Sequence, residues 1–195
     1  MKRLAICALL FTAAFFSAKS QTDSASKVDI KPGTKLVYDV NANGNKYQFV
    51  VTVKNLGNGI TFDWTMTTPD NLSGTVEMTP GALDTAHALY NFFTGGMTKL
   101  ADQTSVWVST SVWKDIHDED EMTDLKLDSE TEDSFIRFAM PDGYATTYKG
   151  TPATMASSEL RSLFTDNVIT VWENEKFPII LKMNLGWTIE LREIK

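Results

Sequence analysis

The chain has 195 residues, 18 of them basic and 25 acidic, for a formal net charge of −7. That balance argues against nucleic acid and anionic membrane surfaces, which want basic patches, and fits solubility through net charge. Cys7 is the lone cysteine, and His87 and His117 are the two histidines, so disulfide frameworks and thiolate metal centres lack the residues to build them.

Met1-Lys2-Arg3, the apolar run from Leu4 to Phe16, and Ser17-Ala18-Lys19-Ser20 read as a secretory signal peptide cut after Ser20. The run is shorter than the roughly 20 residues a membrane span needs. Cys7 lies early in that run, preceded by Leu4-Ala5-Ile6, whereas a lipidated cysteine would follow it. The expectation is a cleaved, non-lipidated protein of the periplasm or the exterior, with no transmembrane segment. Removing Lys2, Arg3 and Lys19 leaves 15 basic residues against 25 acidic ones, a net charge of −10. Residues 21–31 are polar and read as a flexible leader, and 32–195 as a single β-rich domain.

From residue 35 the hydrophobic period is two. Leu36, Tyr38 and Val40 form a first strand, and Asn43-Gly44 lies in its turn. Tyr47, Phe49, Val51 and Val53 form a second. Ile60, Phe62, Trp64 and Met66 alternate with Thr61, Asp63 and Thr65 in a third, the cleanest half-buried pattern in the chain. After the turn Pro69-Asp70-Asn71, a fourth strand carries Leu72, Gly74, Val76 and Met78. Short turns make these four an antiparallel meander. A helix is then expected over 80–94. Thr79 caps it, Pro80 opens it, Gly95-Gly96 ends it, and Ala82, Ala86, Leu89 and Phe93 make its apolar stripe. A short helical turn around Met97 to Ala101 is a further expectation.

Strand character returns over Thr104 to Trp113, followed by a charged loop, Lys114 to Glu121. Leu125 with Leu127, Phe135 to Met140, and Tyr144 to Tyr148 read as short strands, the last two joined by Pro141-Asp142-Gly143. A short helix is expected around Ser157 to Phe164. Val168 to Trp172 and a hairpin turned at Asn184-Leu185-Gly186 close the chain. The fold class is therefore mostly β, a β-rich α+β protein: an antiparallel curved sheet or open barrel with one main helix covering it.

The chemistry of catalysis is mostly missing. No G-x-S-x-G elbow, P-loop or dinucleotide fingerprint occurs, and neither histidine is tied to a serine or an acid by spacing. The stretch Asp115 to Glu121 is rich in oxygen ligands but lacks the order and glycine of an EF-hand, and reads as a solvated acidic loop. No catalytic residue, metal site or cofactor is assigned. The positive signal is aromatic and methionine content in the strands. Phe62, Trp64, Met66, Leu89, Phe93 and Trp107 are either core or the walls of an apolar cavity between a curved sheet and the helix.

The opening Lys31-Pro32-Gly33-Thr34-Lys35-Leu36-Val37-Tyr38-Asp39-Val40 resembles the start of DUF3108-like exported domains of Bacteroidetes-type bacteria. The closing segments Ile169 to Trp172, Phe177 to Met183 and Trp187 to Ile194 are similar to the last strands of that group and of bacterial lipoprotein-carrier proteins. The resemblance covers the two ends and departs over residues 95–165. It implies a strongly curved open barrel with an apolar or amphipathic ligand, a small molecule or a lipid. The expected function is thus an exported, non-enzymatic binding protein of the cell envelope. An envelope interaction protein using an exposed sheet surface is the alternative. A hydrolase with an unrecognised site is the third reading.

Overall fold

The structure, a computed structural model, describes residues 28–68, 71–127 and 131–195. The segment read as a signal peptide, most of the stretch read as a leader, and Pro69-Asp70 lie outside the described residues. The chain is mostly β. Among the described residues twelve strands, numbered in chain order, join in one sheet, in the order β5-β7-β8-β9-β10-β11-β12-β1-β2-β3-β4-β6. A further pairing, β8 with β12, closes the five strands β8–β12 into a ring.

The meander stands where the alternation puts it: β1 (Lys35–Ala42), β2 (Asn45–Asn55), β3 (Ile60–Met66) and β4 (Ser73–Met78). Register brings the apolar parity of each strand to one face. Tyr38 lies opposite Phe49, Val51 opposite Trp64, Val53 opposite Phe62, and Ile60 opposite Met78. These residues are buried, because side chains at every second position share a face. Val28 and Ile30, at the end of the stretch read as leader, also pack on this core.

The expected helix over 80–94 is shorter in the structure. Helix α1 (Pro80–Thr85) starts as expected, with Thr79 Oγ1 accepting from the Ala82 N–H at 3.2 Å. It stops at Ala86, whose backbone is extended. The reason is competition from distant backbone. The Lys126 N–H donates to the His87 carbonyl at 2.9 Å, the Thr104 N–H to Ala88 at 2.9 Å, and the Tyr90 N–H to Thr104 at 2.8 Å. Strand β5 (Ala88–Leu89) therefore pairs in parallel with β7 (Met122–Leu127). Over 80–94 the expected long helix is thus one short helix, a two-residue strand and irregular chain.

Five other expectations change. The turn around Met97 is strand β6 (Gly96–Leu100), parallel to β4. Part of the strand expected over 104–113 is helix α2 (Thr110–Asp115), capped by Ser109, which accepts from the Val112 N–H at 3.1 Å. Pro141-Asp142-Gly143 is not a hairpin turn but a bulge inside one long strand, β8 (Glu132–Tyr148), whose register against β9 shifts between Met140 and Tyr144. The helix expected around 157–164 is instead the end of β9 (Thr151–Ser162), where small serines masked the alternation. The sheet is mixed rather than purely antiparallel, since β4–β6, β5–β7 and β8–β12 are parallel pairs. Strands β10 (Val168–Trp172), β11 (Ile180–Asn184) and β12 (Thr188–Ile194) close the ring. Among the described residues no helix is long and apolar enough to cross a membrane.

Candidate ligand-binding site

A half-open cavity of about 160 Å³ is lined by neighbouring strands β3-β2-β1-β12-β11. The sheet supplies Tyr38 and Val40 from β1, Tyr47 and Phe49 from β2, and Met66 from β3. The closing hairpin adds Ile180, Met183, Trp187 and Ile189. Two crossing segments cover it, one through Asn91 and Phe93, the other through Ser105 and Val106. No charged side chain stands among the described lining residues.

Each wall has a physical cause. Phe93 is held over the sheet by three rings: its centroid lies 4.5 Å from Phe49, 5.1 Å from Trp64 and 5.6 Å from Tyr90. Such tilted and edge contacts suit the ring quadrupole. The Tyr38 hydroxyl donates to the Ile180 carbonyl at 3.0 Å, tying β1 to β11 below the cavity. Burial, helped by Tyr144, pushes the Tyr38 phenol well above its usual range, so it stays a neutral donor. Burial also raises Tyr47. The second covering segment is pinned on both sides. Val106 O accepts from Ile180 and the Val108 N–H donates to Pro178 O, at 2.8 and 3.0 Å. Between these bonds Val106 has φ +67°, an outlier for a β-branched residue. That kink lets the consecutive residues Ser105 and Val106 both join the wall.

The six residues proposed from sequence divide into two layers. Met66 and Phe93 line the cavity. Trp64 backs Phe93 from beneath. Phe62 packs on Trp107 with centroids 5.6 Å apart, and both are fully buried, as is Leu89. The hairpin residues Met183, Trp187 and Ile189 also line the cavity, although the six proposed from sequence do not include them. Their alternation was visible, but their approach to β1 depends on a β1–β12 pairing between the two ends of the chain.

The histidines sit elsewhere. His87 places Nδ1 3.0 Å from the Thr85 carbonyl and Nε2 2.8 Å from Asp115. His117 places Nδ1 2.7 Å from the Trp113 carbonyl and Nε2 2.8 Å from Glu173. An acceptor faces each ring nitrogen, so both rings already have partners within the protein. Glu173 also accepts from the buried Ser158 hydroxyl and from Arg137, at 3.1 Å. Serine and histidine thus meet the same carboxylate rather than each other, which is not the order a serine nucleophile and its base require. The acidic loop is internally bonded: Asp118 accepts from the Asp120 and Glu121 N–H groups, and Glu121 pairs with Arg137 at 2.8 Å. Among the described residues no group of three or more His, Cys, Asp or Glu side chains is placed to hold a metal.

No protein-family model, curated protein or solved structure matches this chain.

Proposed function

We propose that this is an exported, non-enzymatic binding protein of the cell envelope, and that its ligand is apolar or amphipathic. The single observation carrying this reading is the uncharged, half-open cavity against the sheet, walled mostly by aromatic, aliphatic and methionine side chains. Apolar concavities with a few convergent polar groups are the usual form of a small-molecule site. An apolar cavity of about 150 Å³ is large enough for benzene. This cavity therefore takes one ring, or a short stretch of alkyl chain whose remainder stays in the mouth. The signal segment supports export. The engagement of both histidines by acceptors supports a binding role over a hydrolytic one.

The test uses Ala42, a half-buried residue at the end of β1 that reaches the cavity. Ala42→Trp would fill the mouth without removing core. An apolar fluorescent probe should bind the mature chain, and bind Ala42→Trp at least about tenfold more weakly at an unchanged melting temperature. Equal binding to both proteins, or none to either, would sink the reading. Native mass spectrometry of gently purified protein would show a co-purifying ligand directly.

A further inference from the structure

The segment Thr104-Ser105-Val106-Trp107 concentrates features that stability alone does not favour. Thr104 Oγ1, Ser105 Oγ and Trp107 Nε1 are buried with no hydrogen-bond partner among the described residues. The Ser105 N–H reaches only the thioether of Met78, at 3.2 Å, a weak acceptor. Val106, next in the chain, has the positive φ. Strain and unsatisfied polar groups cluster where a site is held ready, because the fold otherwise gains nothing from them. Of the three orphaned side chains, Ser105 belongs to the cavity wall. Its hydroxyl is hidden from solvent in its present rotamer, and no hydrogen bond holds it there. Rotation about χ1 moves the oxygen between staggered wells.

We infer that the cavity selects a neutral, ring-sized apolar group bearing one hydrogen-bonding oxygen, and that Ser105 is the specificity residue that takes this oxygen. The inference rests on the binding reading above and deepens it. Neutrality follows from the lining, which holds no charged partner for a buried ion. The size follows from the roughly 160 Å³ of space. The hydrogen bond follows from Ser105, whose missing partner the ligand would supply. A phenol or an aryl alcohol has this chemistry. A pure hydrocarbon lacks the oxygen, and an aryl carboxylate carries a charge that the site cannot match.

The experiment titrates the mature chain with benzyl alcohol, toluene and benzoate, following amide shifts by NMR and the fluorescence of the half-buried Trp187 at the cavity. Benzyl alcohol should bind about three- to tenfold more tightly than toluene, the range of one net hydrogen bond, and benzoate should bind most weakly. Ser105→Ala should keep toluene binding and lose the preference for the alcohol. It removes an orphaned hydroxyl, so its melting temperature should not fall. Ser105→Cys, with a weaker donor and acceptor, should be intermediate. Toluene binding as well as the alcohol, or a preference that survives in Ser105→Ala, overturns the role of Ser105 while the cavity stands. Tightest binding of benzoate overturns neutrality. Failure of all three probes overturns the binding reading itself.

Discussion

Single atoms decide how the cavity floor is held. The Tyr38–Ile180 hydrogen bond joins residues 142 apart in sequence and is fully buried. Tyr38→Phe should destabilise the protein by about 1–2 kcal/mol, since the Ile180 carbonyl loses its side-chain donor inside the core. Denaturant melts should show a lower midpoint with the same slope, because no surface is newly exposed in either state. A midpoint unchanged from the parent would mean that the hydroxyl contributes nothing net. Asp63 shows the contrast between buried and exposed partners. The Thr75 hydroxyl donates to it at 2.8 Å and outweighs the effect of desolvation, and Lys54 adds an ion pair, so its carboxyl is held below the usual range. Both ion-pair partners are exposed, so that pair contributes little to stability.

Elements are joined by close backbone approach as much as by side chains. Gly74 of β4 lies opposite Trp64 on β3 and opposite Gly96 on β6. A Cβ there would stand 2.3 Å from the Gly96 carbonyl and 2.9 Å from the Trp64 indole. The missing side chain is what lets the indole come this close to β4 while it backs Phe93 at the cavity. Gly74→Ala should cost about 1–3 kcal/mol, toward the upper end, because the obstructing atom is backbone. It should also loosen the β4–β6 pairing, read as faster amide exchange at Thr75 to Glu77. Unchanged stability and exchange would show that the sheet relaxes around the methyl. The bulge at Gly143, where φ is +63°, has the same logic: a Cβ would sit 2.7 Å from the Met155 carbonyl. That bulge lets one long strand bend into a ring.

Across the whole molecule, the Glu173 cluster ties the α2 region, β8, β9 and the segment after β10 together. Burial alone would raise the Glu173 carboxyl. Hydrogen bonds from Ser158, His117 and Arg137 outweigh it and hold the group below its ordinary value. A carboxylate with a depressed folded-state pKa stabilises the fold above the unfolded value, here the ordinary 4.5, and that contribution is lost as pH falls through the folded-state value. The parent should therefore lose more stability than Glu173→Gln on acidification from about pH 5 downward. Parallel losses in the two proteins, measured as melting temperature against pH, would show that the cluster is not a source of acid sensitivity. The ring itself closes through Thr147–Glu193 and Tyr148–Ile194, a parallel pairing. There the Tyr144 hydroxyl donates to Leu191 O at 3.0 Å, and burial, with the charges of Glu190 and Asp39, raises its pKa far above the usual range.

The β class, the four-strand meander and the last hairpin were legible in the chain, because a period of two states locally which side chains share a face. The sequence also determined that Phe62, Trp64, Met66, Leu89, Phe93 and Trp107 belong inside or against the interior. Tertiary structure decided the rest. The helix ended at Thr85 because Ala88, His87 and Tyr90 find backbone partners on Thr104 and Lys126, which no local pattern announces. Helix α2 formed from β-branched and aromatic residues because Ser109 caps it and Val112 and Trp113 find burial there. The division into cavity wall and core was equally nonlocal. Met66 and Trp64 share one strand face, yet Met66 lines the cavity while Trp64 is sealed beneath Phe93. Ser105 carried no signal in the sequence. Its meaning came from a backbone kink at Val106 and from a hydroxyl left without a partner, and both exist only once distant strands have met.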